Sequence, residues 1–178
     1  MQWASSNLPH EYYYSSCDDD FMLDVAVFED IINWNIKNTE RRKWPLFPFI
    51  CVFGIAKPHI VRVTYNKYFV PYDEFSWDAW PRSCLGGFYS SQVATISKVW
   101  DQSKNEILVR MDDVWVTGVL RLKIGMPDYA VIDPETKAAH HFYGFNGKGS
   151  PRDHDFMENE WKNYYNSISK REHCFCRY

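Results

Sequence analysis

Three consecutive aspartates, Asp18, Asp19 and Asp20, constrain the fold of this chain more than any other feature. They follow an aromatic run over residues 11–16 that favours a β-strand, and they precede a short apolar run. Adjacent carboxylates repel one another and are costly to bury unpaired, so this strand must end where solvent or a cation can reach it. Carboxylate oxygens suit Mg²⁺ or Mn²⁺. The triplet is therefore either a metal site at the edge of a sheet or an acidic turn that caps the following helix.

Length and composition favour a single globular domain. The 178 residues are enough for one core, and aromatic residues make up 18% of them, which is too many for a disordered chain. The 20 Lys and Arg nearly balance the 23 Asp and Glu, which argues against nucleic acid or an anionic membrane as a partner. The aromatic excess suits either a carbohydrate-binding surface or an aromatic-rich core. No apolar run reaches the roughly 20 residues of a membrane span, and no signal peptide is visible.

The five cysteines do not form the even, closely spaced set of a disulfide framework. One or two bridges are compatible with an oxidising compartment. Cys174 and Cys176 are the one close pair, with a single residue between them, and this spacing argues against a structural zinc site.

Segments with strand and helix character alternate along the chain, which favours an α/β layer fold. Apolar spacing predicts an amphipathic helix over 24–35, and a polar loop over 38–43 follows it. Turn residues then separate the later elements. The remaining predictions are strands over 49–54 and 60–65, an aromatic loop over 72–82, helices over 92–100 (capped by Ser90), 114–124 and 157–168, and a basic tail over 170–178.

Further motifs follow the aspartate triplet in a definite order. These are a Lys-Tyr-Phe-Val run at 67–70, Trp80-Pro81, the segment 84–91 with Gly86-Gly87 at its centre, and Asp112-Asp113-Val114 with Gly118 beyond it. This order resembles glycosyltransferase family 31, the β-1,3-galactosyltransferase and N-acetylglucosaminyltransferase group. The family pattern is an Asp triplet, then Tyr-Pro-x-Tyr-x-x-Gly-Gly-x-Tyr, then Glu/Asp-Asp-Val-x-x-Gly. The resemblance covers about residues 3–127.

The resemblance implies an A-type glycosyltransferase fold, in which helices flank a mixed sheet. It also implies transfer of galactose or N-acetylglucosamine from a UDP-sugar to a hydroxyl of a glycan or glycoprotein, with inversion and a β-1,3 linkage. Family members work in the Golgi lumen, held by a membrane anchor. Because few residues precede Asp18, we expect residues 1–169 to be a partial catalytic domain that lacks the N-terminal nucleotide-binding half, with poor solubility on its own.

The same resemblance assigns the aspartate triplet to the donor and its cation, Mn²⁺ or Mg²⁺. Asp18 and Asp20 frame the metal motif, with Asp20 as the direct ligand, and Asp19 either holds the ribose or the sugar or supports the metal ligands from behind. A histidine near the C-terminal end is a further ligand in this architecture. The candidates are His140, His141 and His154, of which His141 is favoured, although adjacent histidines on a loop can equally be solvated.

An inverting transferase also needs a carboxylate base to take the acceptor proton. By resemblance this base is Asp113, supported by Asp112, although two aspartates can equally stabilise the start of a helix. Gly86 and Gly87 allow the backbone to approach a ligand closely or to turn sharply. Trp80, Phe88 and Tyr89 either stack on a sugar ring or pack in the core.

Two segments depart from the family pattern, and two other functions are compatible with the sequence. Ser15, Ser16 and Cys17 stand where a lysine is common, and the segment 82–85 stands where a tyrosine and a third glycine are frequent. The alternative function is a non-catalytic fragment that binds a glycan or a protein partner. A metal-dependent phosphohydrolase is a more distant alternative, because the sequence shows no second cluster of metal ligands.

Overall fold

The structure, a computed structural model, describes residues 1–18, 21–134, 138–141 and 151–169. Within these ranges, no helix is long and apolar enough to span a bilayer. The helices are α1 (Gln2–Asn7), α2 (Val25–Arg42), α3 (Val93–Ser103), α4 (Asp112–Val114), a π-helical segment (Trp115–Leu120), α5 (Arg121–Lys123), a 3₁₀ turn (Asp128–Ala130) and α6 (Pro151–Ser169). The strands are β1 (Tyr13–Cys17), β2 (Phe21–Leu23), β3 (Phe49–Ile50), β4 (Phe88–Gln92), β5 (Val131–Ile132) and β6 (Ala139–His141).

The main sheet has four strands in the order β1-β4-β3-β5. Strand β4 pairs antiparallel with both β1 and β3, whereas β3 pairs parallel with β5, so the sheet is mixed. A second, two-stranded sheet joins β2 and β6 in antiparallel register. The predicted α/β class with a mixed sheet and flanking helices is confirmed. The absence of an N-terminal half stays a prediction.

The core lies on both faces of the main sheet. Because successive strand residues point to opposite faces, Phe49 packs into one apolar cluster and Ile50 into the other. The larger cluster is completed by α3 and by the helical stretch 112–123, through side chains such as Ile96 and Leu120. The smaller cluster is completed by Ile31 and other residues of α2. The sheet is thus held between helices.

Helix α2 is longer than predicted, and the predicted loop over 38–43 is wrong. The Asp24 carboxylate caps the helix by accepting a hydrogen bond from the Val27 N–H at 3.1 Å. The polar stretch continues the helix as a largely solvated face, with Arg41 and Arg42 in the last turn, where positive charge is favourable. The helix ends at Lys43, which adopts the left-handed conformation with φ of 53°.

The predicted strand over 60–65 is also wrong, although its side chains alternate in polarity. A single side chain organises this segment: the Arg62 guanidinium donates to the carbonyl oxygens of Val70, Phe75 and Trp77, at 2.6–2.8 Å. These contacts fold residues 62–77 back on themselves. They replace the ladder of backbone hydrogen bonds that a strand would need.

Around the Gly-Gly segment the predictions are partly confirmed. Helix α3 is present, but Gln92 occupies its N-cap position and Ser90 does not cap it. Ser90 and Ser91 instead lie in β4, a strand that the sequence did not indicate, and their hydroxyls bond to neighbouring strand and loop backbone. The strand predicted over 49–54 is reduced to Phe49–Ile50. Beyond it, Cys51 forms a disulfide with Cys84, a pairing that the sequence left open.

The helical stretch 112–123 is confirmed, including its end at Gly125, where φ is +79°. Its π-helical middle was not predicted. Arg121 anchors the end of the stretch, because its buried guanidinium donates to the Thr117 and Met126 carbonyls and to the Asp128 carboxylate. The last predicted helix is also confirmed, as α6.

Candidate active site

The end of β1 meets the Gly-Gly segment directly. Antiparallel pairing sets Cys17 opposite Phe88, and the next hydrogen bond joins the Asp18 N–H to the Gly87 carbonyl oxygen at 2.8 Å. The first aspartate of the triplet is therefore fixed against the second glycine, about 70 residues later in the chain. Two of the motifs identified in the sequence lie side by side.

Gly87 occupies a position that no other residue fits. Its φ of +106° is one that L-residues rarely adopt. A Cβ atom there would lie 2.2 Å from Cζ of Phe21, the residue directly after Asp20. The Phe21 ring is itself held edge-on against Phe53, with centroids 4.8 Å apart. The glycine therefore allows the chain to turn closely over the residue that follows the triplet.

The third motif reaches the same place through Gly86. A Cβ atom on Gly86 would lie 3.2 Å from Oδ2 of Asp113, and the Gly86 N–H donates to this carboxylate. The Asp113 residue is only 8% exposed. Burial raises the pKa of its carboxyl group, and the charge of Asp112 raises it further, against hydrogen bonds from the backbone of Val114, Asp113 and Gly86. Asp113 is thus a partly desolvated carboxylate with raised basicity.

The helical stretch that carries Asp113 is tied to the Gly-Gly segment by Thr117. Its hydroxyl donates to the Asp113 carbonyl oxygen at 2.7 Å and accepts from the Cys84 N–H at 2.9 Å. The next residue, Gly118, packs closely on Pro81, whose Cγ would be 2.9 Å from an added Cβ atom. The Cys51–Cys84 disulfide secures the same segment to the end of β3. The position of Asp113 therefore depends on several long-range contacts.

A group of hydroxyls lies beside the aspartate pair. Ser16 is directly opposite Tyr89 in the β1–β4 register, and its side chain hydrogen-bonds to both Tyr14 and Tyr89. Burial raises the pKa of Tyr89, so its hydroxyl stays protonated and can donate. The negative charges of Asp112 and Asp113 act in the same direction. The sequence analysis did not identify Tyr14 or Ser16. Because side chains alternate between the two faces of a strand, Tyr14 and Ser16 lie on the same face of β1, and Tyr89 lies opposite Ser16.

The other aromatic candidates lie in the core. Trp80 is buried and packs against Phe75 at 4.6 Å between centroids, and Phe88 is buried against Phe28 at 5.5 Å. These contacts favour core packing over sugar stacking for both residues. A direct role of Trp80 in binding substrate stays a prediction.

The metal candidates are described only in part. Asp19 and Asp20 lie outside the described residues, and of His140, His141 and His154 only the backbone is described. The β2–β6 register pairs His141 with Phe21, so the backbone of His141 lies next to the end of the triplet. Among the described side chains, no three His, Cys, Asp or Glu converge on one point. The metal assignments therefore stay predictions, and so does the basic tail over 170–178.

Comparison with known proteins identifies the family. The sequence model for the family described as galactosyltransferase matches residues 1–131, which include all three motifs. Mouse (Mus musculus) beta-1,3-galactosyltransferase 5 is 28% identical over 120 residues, which are 65% of this chain and 35% of that protein. The human (Homo sapiens) counterpart is 25% identical over 116 residues, again 65% of this chain and 35% of that protein.

A second kind of relative covers more of the chain. Human lactosylceramide 1,3-N-acetyl-beta-D-glucosaminyltransferase is 25% identical over 167 residues, which are 92% of this chain and 42% of that protein. The matches thus span about a third to two fifths of the length of these relatives. Because the family model matches more than half of the chain and takes in the triplet, the Gly-Gly segment and the aspartate pair, the chain belongs to the galactosyltransferase family.

Proposed function

We propose that this chain carries the acceptor-activating part of a hexosyltransferase, which transfers galactose or N-acetylglucosamine from a UDP-sugar to a hydroxyl of a glycan or glycoprotein with inversion and a β-1,3 linkage. The observation that carries the proposal is the buried Asp113 carboxylate against Gly86, next to the hydrogen bond between Gly87 and Asp18. A carboxylate of raised pKa thus lies against Gly86, and the neighbouring Gly87 is bonded to the first aspartate of the triplet. This arrangement supports one site that serves both donor and acceptor.

In the proposed reaction Asp113 acts as the general base. Its carboxylate takes the proton of the acceptor hydroxyl while that oxygen attacks the anomeric carbon from the face opposite UDP. The bond between the anomeric carbon and the diphosphate oxygen breaks, and UDP leaves with the bonding electrons. A base with a raised pKa removes this proton more readily, and the burial of Asp113 provides such a base. The hydroxyl of Tyr89, which stays protonated, would donate a hydrogen bond to the acceptor in this reaction.

On the donor side, Asp18 and Asp20 would hold Mn²⁺ or Mg²⁺, with Asp19 on the ribose or sugar and His141 as a further ligand. The donor set is chemically suitable, since carboxylate oxygens and imidazole both bind Mn²⁺. The pairing of His141 with Phe21 supports this grouping. When bound, the cation would stabilise the negative charge of the leaving diphosphate.

The compartment and the rest of the enzyme are also proposals. A buried disulfide between Cys51 and Cys84 suits an oxidising lumen, which supports the Golgi as the place of action. The matches span about a third to two fifths of the length of the relatives, which supports a catalytic domain larger than this chain.

Isothermal titration of UDP with and without Mn²⁺ tests the donor assignment. We expect binding that requires Mn²⁺ and that Asp20→Ala abolishes. Glycan binding that is indifferent to Mn²⁺, with no binding of UDP, would instead establish the non-catalytic binding module.

The base assignment needs a separate experiment. Asp113→Asn should reduce turnover by about 10²–10⁴-fold, the usual contribution of a positioned base, and leave UDP affinity within about twofold. Asp101→Asn, which alters an exposed carboxylate of α3 paired only with the exposed Lys104, is the matched control. If UDP affinity falls together with turnover in Asp113→Asn, Asp113 is a structural residue.

A further inference from the structure

The connection from α3 to α4 leads directly into the aspartate pair and helps to determine where the pair lies. This connection is not held by regular secondary structure. Residues 104–111 join Ser103 to Asp112 without a helix or strand. Ile107 and Leu108 in this connection are largely exposed. The Asp113 carboxylate nevertheless lies directly against Gly86 and accepts a hydrogen bond from its N–H, so it needs a defined position. Some contact must therefore fix the end of the connection.

That contact is made by Arg110 and Glu74. The backbone N–H of Arg110 donates to Glu74 Oε1 at 2.7 Å, and its side-chain Nε donates to Oε2 at 2.7 Å. The Nη2 atom lies 2.6 Å from the same Oε2. Both carboxylate oxygens are engaged, and the bonds are charge-assisted, which makes them short and directional. The pair thus fixes both the side chain and the backbone of Arg110.

The carboxylate of this pair belongs to a rigid part of the molecule. The Glu74 side chain is only 15% exposed, against 48% for Arg110, so the pair is partly withdrawn from water. Its neighbour Phe75 is buried in the larger core cluster and gives its carbonyl oxygen to Arg62. The backbone directly after Glu74 is thereby held. Glu74 acts as a fixed point against which the connection is positioned.

The Arg110–Glu74 ion pair lies directly before the proposed base in the sequence. Arg110 is followed by Met111, whose carbonyl oxygen accepts from the Trp115 N–H at 2.8 Å and so starts the helical stretch. The Trp115 indole N–H donates back to the Ile107 carbonyl oxygen at 3.0 Å, which holds the other end of the connection. A shift of Arg110 would therefore also move Asp113, which lies three residues later in the first turn of the helical stretch.

We propose that Glu74 is a positioning residue for transfer, which acts through Arg110 to hold Asp113 at its productive distance from Gly86. The proposal rests on the assignment of Asp113 as the base. Glu74 lies about 40 residues before Asp113 in sequence and touches no reacting group in this arrangement. A displacement of about 1 Å at such a position can cost roughly 100-fold in rate, because alignment of the base with the acceptor is lost.

The test compares variants of Glu74 with a matched ion pair in the same connection. Glu74→Ala should lower kcat by about 10–100-fold and leave the affinity for UDP within about twofold. Glu74→Gln keeps an oxygen that can accept from the Arg110 N–H, and should recover part of the loss. Glu106→Ala removes the pair with Lys123, whose side chains are similarly exposed at 19% and 45%, and should leave kcat within about twofold. Glu74→Gln alone carries the test if Glu74→Ala does not fold.

A second readout separates this proposal from the proposed function. Carbon NMR of labelled aspartate carboxyl groups follows the titration of Asp113 without any need for turnover. In Glu74→Ala the pKa of Asp113 should fall towards that of an ordinary aspartate, because the displaced carboxylate gains water. An unchanged Asp113 titration in Glu74→Ala would overturn the positioning role, and so would an equal loss of kcat in Glu106→Ala. A wild-type protein without turnover refutes the proposed function, while the titration still decides the role of Glu74.

Discussion

Replacement of Gly87 by alanine tests most directly how the site is assembled. The added methyl group would lie 2.2 Å from Cζ and 2.5 Å from Cε2 of Phe21, at a φ of +106°. Two costs therefore add: an unfavourable backbone conformation and a clash with a ring that cannot retreat freely. Gly54 provides the matched control, because its φ is +140° and nothing lies within 4 Å of its Cβ position.

The magnitudes follow from these two environments. A residue with a side chain in such a backbone region costs about 1–3 kcal/mol, and this cost applies to both Gly54→Ala and Gly87→Ala. Displacement of the Phe21 ring adds about 1–3 kcal/mol for overpacking in Gly87→Ala alone. Loss of chain entropy in the unfolded state favours both variants by about 0.4–1 kcal/mol and cancels in the comparison. Gly87→Ala should thus be less stable than Gly54→Ala by about 1–3 kcal/mol.

Equilibrium unfolding in urea and thermal unfolding measure this difference. For a chain of this size, each kcal/mol corresponds to a change in Tm of roughly 2–4 °C, so the two variants should differ by roughly 2–12 °C. A companion variant, Gly87→Ala with Phe21→Leu, should regain stability relative to Gly87→Ala because the smaller side chain relieves the clash. Equal stability of Gly87→Ala and Gly54→Ala would show that Phe21 does not pack against the glycine, and the description of the site would be wrong.

Three further predictions concern the contacts around Asp113. Its folded pKa is raised by burial, so the stability due to this group is present below its unfolded pKa and is lost as pH rises through the folded pKa. Asp113→Asn should therefore raise Tm at pH 7–8 while abolishing turnover, and this advantage should shrink towards pH 4; an advantage that grows on acidification would contradict the raised pKa. Thr117→Val should cost about 1–3 kcal/mol in urea unfolding, because the buried Cys84 N–H loses its acceptor, and Thr117→Ser should cost less. The Cys51→Ser, Cys84→Ser double variant should lose about 4 kcal/mol, the loop-closure entropy for a sequence separation of 33, and a loss below about 1 kcal/mol would show that the crosslink is redundant.

Patterns local in sequence predicted the helices well. The apolar period of 3.6 located α2 and α3, because each buries one face against a cluster and exposes the other, whereas the stretch 112–123 is buried nearly all round. The end of the stretch 112–123 was indicated by Gly125, which adopts a positive φ and terminates the helix. Helix ends without such a signal were misplaced, as α2 was, because a polar run can equally be the solvated face of a continuing helix.

The strands were harder to predict, since their stability depends on partners distant in sequence. The alternation over 60–65 looked like a strand, but Arg62 satisfies backbone carbonyl oxygens that a strand partner would otherwise bond. Strand β4 contains two serines and gave no strong signal, yet it pairs with both β1 and β3. Its serine hydroxyls bond to backbone outside their own strand, and no local pattern encodes such contacts.

The sequence by itself determined the family of this protein and the order of its three motifs, because each motif needs particular residue types whose chemistry is visible without coordinates. A role could be assigned separately to the aspartate triplet, to the Gly-Gly segment and to the aspartate pair. Only the tertiary structure decided that Asp18, Gly87, Gly86 and Asp113 lie together, through an antiparallel strand pair and a buried carboxylate. The physical reason is that burial and long-range hydrogen bonds arise from contacts between segments about 25 to 95 residues apart: the burial raises the pKa of Asp113, and the hydrogen bonds fix its place.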